Sequence, residues 1–478
     1  MKVSTKSKTP RKRRAAKGNG DVTAGPALPP ASQETASGPQ ARARAAGTAG
    51  LRVRMYRVGF GDFFLLSVPV AGGADSHILI DCGVHAKDLG SIREAVTQMA
   101  QECDNKLALV IMTHRHADHI SGFGTCADIF STIEVERVWM PWFEDPTNDK
   151  AKHFQSRLAA LANQLGSGLR ARLAAGPDPF ASQLLSMAEN ITGGMSMAGG
   201  SANEKALRVL TGGFKNKVTP DYYKAGDAAK LPQALMDAGF TARILGPPID
   251  ESLIAQMTNK AQQYLSGTSQ EDQTDDKPPP FQSAFIVGYD AYSPRAYEVY
   301  DVDEITRMVD NSQPDMLAAQ AVAADKNLNN QSLVILFSFA GKNLLFAGDA
   351  QWGNWENFLY GGAYGTPGHT ALTPSAKDIL DNIHFYKVGH HGSANATPKD
   401  AVKAMRMGCV GMCSTQEHAY NEVPRAPLLA ELRQRMNDQL ARSDQVAIST
   451  DVPANSGAGA LPSAFTAPTH RLFIDYNI

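Results

Sequence analysis

Hydrophobic and polar positions change rhythm several times along this chain. Residues 1 to about 50 carry almost no large apolar side chain and consist mostly of Ala, Gly, Pro, Ser and Thr behind a basic start. Such a stretch cannot bury enough surface to offset its ordering entropy, which predicts a disordered basic tail over 1–50 and a folded region over 51–478. From Leu51, short apolar runs alternate with polar punctuation and predict strands over 51–58, 63–70 and 77–81. Gly59-Phe60-Gly61-Asp62 and Ala71-Gly72-Gly73 read as the turns between them. Ile92, Ala95, Val96 and Met99 share one face of a helix over 91–102. The unbroken run 107–112 predicts a strand buried on both faces, and 137–140 predicts another.

Between about 145 and 230 the chain becomes Ala-rich and its period turns helical. Phe154, Leu158, Leu161 and Leu165 form one stripe, and Leu184, Leu185 and Met187 suggest a second. This predicts a helical insertion or lid, whose stripes are packing faces. Residues 262–280 are polar and acidic, end in three prolines and predict a surface loop. Strands resume over 241–245, 281–288, 332–339, 344–347, 384–388, 409–413, 446–450 and 472–475, with helices over 374–381, 398–407 and 426–438. Strands and helices mixed through two successive halves predict an α/β (α+β) fold in which helices cover sheets.

Composition narrows this only a little. At 478 residues, with 43% hydrophobic and 20% charged side chains, the chain fits a globular protein with one large core or two ordinary ones. The net charge of −2 hides a strong asymmetry, since eight of the first seventeen residues are Lys or Arg. Arg11-Lys12-Arg13-Arg14 could lie along an acidic polymer such as nucleic acid, or the tail could simply be solubilising. Five scattered cysteines without a Cys-x-x-Cys pair suit free thiols in a reducing compartment. No apolar run approaches the ~20 residues of a membrane span, and no hydrophobic segment follows the basic start, so the expectation is a cytoplasmic protein without a membrane partner.

The densest chemistry lies in Thr113-His114-Arg115-His116-Ala117-Asp118-His119, directly after a buried strand. His114 and His116 alternate, point the same way in an extended segment and can grip one ion; Asp118 and His119 follow on the turn and can reach a second. Imidazole and carboxylate are the usual ligands of zinc and related divalent ions. Two later strands also end in ligand types: 343–349 in Gly348-Asp349, and 385–393 in His390-His391-Gly392-Ser393. Gly-Asp by itself is common at turns; the three strand ends in this order carry more weight than any one of them.

That order resembles the metallo-β-lactamase fold, and within it the soluble domain of ComEC-type competence proteins. Val58-Gly59-Phe60-Gly61-Asp62, Ile78-Leu79-Ile80-Asp81-Cys82-Gly83, Asn330-Gln331-Ser332-Leu333-Val334 and Lys387-Val388-Gly389-His390-His391-Gly392-Ser393 carry the closer match. The resemblance implies a four-layer αββα sandwich and two divalent metal ions, zinc or alternatively manganese. It implies that His114 and His116 bind the first ion and Asp118 and His119 the second. Asp349 would bridge and His390 would complete a shell, while Asp81 would orient the histidine loop without ligating. His391, with Ser393, would face the substrate. Two departures stand out: the interval where many members have a further His ligand contains only His153, and Val423 stands where relatives carry a C-terminal His, with His418 nearby.

The expected activity is metal-dependent hydrolysis through a metal-bridging hydroxide, with Asp118 and His391 catalytic and Lys387 or Arg115 touching phosphate. A phosphodiesterase or nuclease on nucleic acid, or on a small phosphodiester, leads. The alternative is a small-molecule hydrolase, namely a phosphocholine esterase, lactonase or thioester hydrolase. His77, His85, His369, His384 and His470 stand alone and read as structural. Trp139 and Trp142 read as core, with a pocket wall as the second possibility.

Overall fold

A computed structural model describes residues 50–85, 89–156, 202–264, 328–417, 423–446, 460–467 and 472–478, with Ala419 and a few positions between 169 and 176. Two mixed sheets dominate. The first joins β1 (Arg52–Tyr56), β2 (Phe63–Pro69), β3 (Asp75–Cys82), β4 (Lys106–Ile111), β5 (Glu134–Pro141) and β6 (Asp221–Tyr223). The second joins β7 (Thr241–Gly246), β8 (Val334–Phe339), β9 (Lys342–Phe346), β10 (Ile383–Lys387), β11 (Val410–Cys413) and β12 (Leu440–Arg442). The closing strands β13 (Phe465–Thr466) and β14 (Phe473–Asn477) return to the first sheet beside β1, giving the order β13-β14-β1-β2-β3-β4-β5-β6.

The two-residue period of a strand decides the layers. Leu109 and Ile111 of β4, with Phe64 and Leu66 of β2, point into a core shared with Ile335, Phe337, Leu344, Phe346 and Phe385 of the second sheet. Phe64 and Phe346 meet edge-on across that core at 5.9 Å. On the far side of the first sheet, Leu107, Val110 and Met112 pack with Ala95, Val96 and Met99 of the helix Ile92–Glu102 and with Ile120 and Phe123 of the helix Ala117–Thr125. On the far side of the second, Leu336, Leu345 and Tyr386 pack under the helices Trp352–Tyr360, Pro374–Asp381, Lys399–Ala404 and Ala426–Arg435. Helix, sheet, sheet, helix is the αββα order. Apolar residues on both strand faces are what such doubly covered sheets require.

Each sheet begins antiparallel and becomes parallel: β3-β4-β5-β6 run together, as do β9-β10-β11-β12. Their carboxyl ends therefore lie together within each sheet, where parallel sheets place their chemistry.

Several expectations change. Asp118 and His119 stand in the first turn of a helix, not on an open turn. The region expected to be helical up to about 230 instead supplies β6, paired parallel with β5 at Trp139–Pro141; Leu158, Leu161, Leu165, Leu184, Leu185 and Met187 lie outside the described residues. The helix Trp352–Tyr360 was not foreseen. Its three early residues Gly353, Asn354 and Trp355 are poor helix formers, and packing rather than propensity holds it. Strand β12 is at Leu440–Arg442, ahead of the expected 446–450, most of which is outside the described residues, as is 281–288. The polar loop begins with a helical turn, Lys260–Gln262, in which buried Gln262 donates to Asp400 at 2.7 Å; residues 265–280 are outside the described set. No helix among the described residues is long and apolar enough to cross a membrane.

Candidate metal centre

Asp81, next to last in β3, has φ +54°, a left-handed value that a non-glycine residue adopts only when its surroundings hold it there. The hold is visible. The Thr113 backbone N–H donates to Asp81 Oδ1 at 2.7 Å and the Thr113 hydroxyl to Oδ2 at 2.6 Å. His119 Nδ1 lies 2.7 Å from the same Oδ2. A carboxylate that accepts the Nδ1–H hydrogen bond leaves the Nε2 lone pair free for an ion, the usual way a metal-binding imidazole is oriented. That Nε2 is buried and has no hydrogen-bond partner, and Asp349 Oδ2 is 3.1 Å from it.

The Asp349 loop is built by the Asn330–Ser332 segment. Gly348 has φ +52°, and a Cβ there would lie 2.9 Å from Ser332 Cβ. The Asp349 N–H donates to Ser332 Oγ at 3.0 Å. Asn330 Oδ1 accepts from Gln351 N at 3.0 Å and Asn354 N at 3.3 Å, fastening the start of the helix Trp352–Tyr360.

After β10 both His390 and His391 are left-handed, with φ +42° and +50°. The turn parts their rings to centroids 6.3 Å apart. His391 is fully buried against Phe60, at 4.2 Å between centroids. Its Nδ1 donates to the Ser414 carbonyl at 2.8 Å, and its Nε2 lies 3.0 Å from Asp118 Oδ2 and 3.4 Å from Asp349 Oδ2. His390 is half-buried and turned aside, with Nδ1 2.7 Å from Ser393 Oγ and Nε2 3.3 Å from Asn329 Nδ2. The resemblance gave His390 the ligand position and turned His391 towards substrate; it is His391, not His390, whose ring nitrogen lies with Asp118, His119 and Asp349. Neighbouring identical side chains carry no signal of which one the turn sends inward.

Asp118, His119, Asp349 and His391 each offer one ligand atom, all within 4.8 Å of one another. His114 and His116 adjoin them: His114 Nε2 is 3.0 Å from His116 Nδ1, and its ring is 4.1 Å from that of His119. Exposed His153 joins no such group among the described residues, and His418 lies outside them. Trp139 and Trp142 are buried, with indole N–H groups on the Lys230 and Pro248 carbonyls, so both are core residues.

Sequence reasoning assigned no role to Asp62, although the turn that carries it is part of the resemblance. Asp62 and Lys387 form a buried ion pair beneath the cluster, and Lys387 Nζ also donates to the Gly348 carbonyl at 3.2 Å. Lys387 is therefore enclosed and does not reach out to phosphate. The Arg115 guanidinium is likewise taken up, with Nε donating to Glu144 at 2.8 Å. Burial works to raise the Asp118 carboxyl, but the hydrogen bond from His391 and the charge on His119 outweigh it and hold the group well below the carboxylate range. Burial opposes charge on His391, yet Asp349 and Asp118 push it up to about 10. Burial likewise opposes charge on His119, which Asp349 and Asp81 raise well above the ordinary value. Buried carboxylates here demand positive charge, which a divalent ion would supply.

The orphaned His119 Nε2 and a mixed carboxylate–imidazole donor set suit zinc or a similar divalent ion. No family model matches this sequence, and no curated protein matches it. Among solved structures, it is similar to that of a β-lactamase domain protein from Burkholderia ambifaria, with 19% identity and a TM-score of 0.23. That similarity covers 41% of this chain and 47% of the length of the other. The chain is an αββα sandwich whose strand ends gather a donor set that could hold a divalent metal ion.

Proposed function

We propose that this protein is a metal-dependent phosphodiesterase with a dinuclear centre, acting on nucleic acid or a small phosphodiester. The observation that carries the reading is Asp349: its Oδ2 lies 3.1 Å from His119 Nε2 and 3.4 Å from His391 Nε2, a carboxylate between two imidazoles with Asp118 alongside. His114 and His116 would hold one ion, Asp118, His119 and His391 the other, and Asp349 both. Zinc fits first and manganese second. Ions bound there supply Lewis-acid polarisation of water and of phosphoryl oxygens.

The chain's own residues do the rest. Asp118 orients the attacking water and takes its proton as the water oxygen bonds to phosphorus, the ester bond breaks and the departing oxygen takes a proton from solvent. Asp81 and the Ser414 carbonyl fix the tautomers of His119 and His391, so each presents Nε2. Phe60 covers the His391 ring and keeps water from it. The resemblance of the strand-end motifs to ComEC-type domains and the basic run Arg11–Arg14 both support a polynucleotide substrate.

The test uses metal-stripped protein re-supplied with Zn²⁺ or Mn²⁺ and offered bis(p-nitrophenyl) phosphate, single- and double-stranded DNA, and RNA. Metal-dependent cleavage that Asp118→Ala abolishes supports the proposal. Bound metal with no phosphodiester cleaved would move the assignment to lactones or thioesters, and a protein that binds no divalent ion would end it.

A further inference from the structure

The left-handed pair at His390 and His391 is a strained arrangement, and its effect is to send one imidazole into the ion cluster and the other out beside it. The outward ring has a fixed hydrogen-bonding sense. Asn395 Nδ2 donates to the Met257 carbonyl at 3.3 Å, so Asn395 Oδ1 is the acceptor end, and Ser393 Oγ donates to it at 2.8 Å. A hydroxyl that has given its hydrogen to Asn395 can only accept from His390 Nδ1, 2.7 Å away. The proton therefore sits on Nδ1, and His390 Nε2 presents a lone pair.

Asn329 stands on that side. Its Nδ2 donates to His390 Nε2 at 3.3 Å, while the Oδ1 of the same carboxamide is buried without any hydrogen-bond partner. Asn329 is only 4% exposed, so a missing partner there is costly unless a ligand supplies it. His390 thus holds the Asn329 carboxamide with Oδ1 as the unused acceptor, and the two residues lie side by side. They adjoin the reacting centre, because the His390 N–H donates to Asp349 Oδ1 at 3.1 Å.

We propose that Asn329 Oδ1, positioned by His390, is an acceptor beside Asp349 that takes a substrate hydroxyl next to the scissile ester. The inference rests on the phosphodiesterase reading and narrows it. An unpaired acceptor disfavours phosphate or carboxylate oxygens and selects a donor. On a phosphodiester the neutral donor in that position is a hydroxyl on the carbon beside the ester carbon. A ribonucleotide diester and a glycerol diester both carry one; a deoxyribonucleotide diester does not. A site built to hydrogen-bond a hydroxyl rejects the analogue lacking it, because its own polar groups are then left unpaired.

The test compares zinc-loaded protein on uridylyl-uridine against its deoxy counterpart, and on a glycerol phosphodiester against the matching propane-1,3-diol diester. Calorimetric titration with uridine 3′-phosphate and deoxyuridine 3′-phosphate gives a readout independent of turnover. The expected result is a preference of about tenfold for the hydroxyl-bearing member, in kcat/KM and in product affinity. It should shrink to about twofold or less in His390→Ala, and separately in Asn329→Leu, with metal content equal to that of the unmodified protein. Preference in the nucleotide pair assigns the hydroxyl to ribose; preference in the glycerol pair alone assigns it to a small polyol ester, and both support the subsite. Cleavage and binding without preference would overturn it while leaving the phosphodiesterase reading intact. Loss of metal in His390→Ala would overturn it by making His390 a ligand. Failure to cleave any of the four diesters would remove the phosphodiesterase reading and the subsite with it.

Discussion

At the scale of single residues, Asp81 shows how a side chain that need not touch an ion can govern one. It spends one oxygen on the Thr113 N–H and the other on the Thr113 hydroxyl and His119 Nδ1. Asp81→Asn keeps the volume but removes one acceptor and the charge that hold the His119 tautomer. We expect metal affinity to fall about 10–100-fold, measured by competition with a chromophoric chelator, with the fold unchanged by circular dichroism. Full retention of affinity would show that Asp62, 3.7 Å from the same nitrogen, suffices alone. The ligand types at His114, His116, Asp118, His119 and Asp349 were legible in the sequence, because each follows an apolar run that must end at a sheet edge. The exchange of His390 and His391 was not, since a turn with two positive φ values is a tertiary outcome.

Elements carry these side chains, and glycine decides how closely they approach. Gly83 lies against the start of the helix that bears Asp118 and His119: a Cβ there would stand 2.4 Å from Asp118 C and 2.4 Å from His119 N. Gly83→Ala should push that helix away and lower the metal content of purified protein, read by elemental analysis, more than Gly226→Ala, where the φ of +86° strains the backbone but a Cβ meets nothing within 4 Å. Equal metal content in the two would contradict the close approach. The helix Ile92–Glu102 is docked partly by charge, since Glu102 pairs with Arg52 and Arg54 of β1, and Arg54 with Asp475 of β14 at 2.7 Å. Burial tends to raise the Glu102 carboxyl, but Arg54 and Arg52 prevail and lower it. A lowered folded-state value stabilises the fold above the unfolded value of about 4.3, and that contribution is lost as pH falls below it. Glu102→Gln should therefore flatten the stability profile in that acid range, as followed by urea midpoints. An unchanged acid limb would sink the assignment. The period of 91–102 gave this helix away, whereas Trp352–Tyr360 is hidden by its Gly and Asn and forms because Trp355, Leu359 and Tyr360 find a core.

For the molecule as a whole, the basic N-terminal run, which lies outside the described residues, bears on how a polymer would be held. If Arg11, Lys12, Arg13 and Arg14 neutralise phosphates, replacing all four by alanine should weaken single-stranded DNA binding and make log Kd less steep in log salt. The slope should fall by about 0.7 for each phosphate no longer neutralised, while hydrolysis of a small diester holds. An unchanged slope would leave the tail a solubilising segment. By itself the sequence determined the alternation of strands and helices, the two-faced burial of 107–112 and the identity of most candidate ligands. These follow from local period and from which side chains can bind an ion at all. Only tertiary structure decided that His391 rather than His390 enters the cluster, that Lys387 is locked to Asp62, and that 221–223 extends a sheet. Each depends on which distant strand end lies alongside, and residues from Asp62 to His391 meet only when two sheets close on one core.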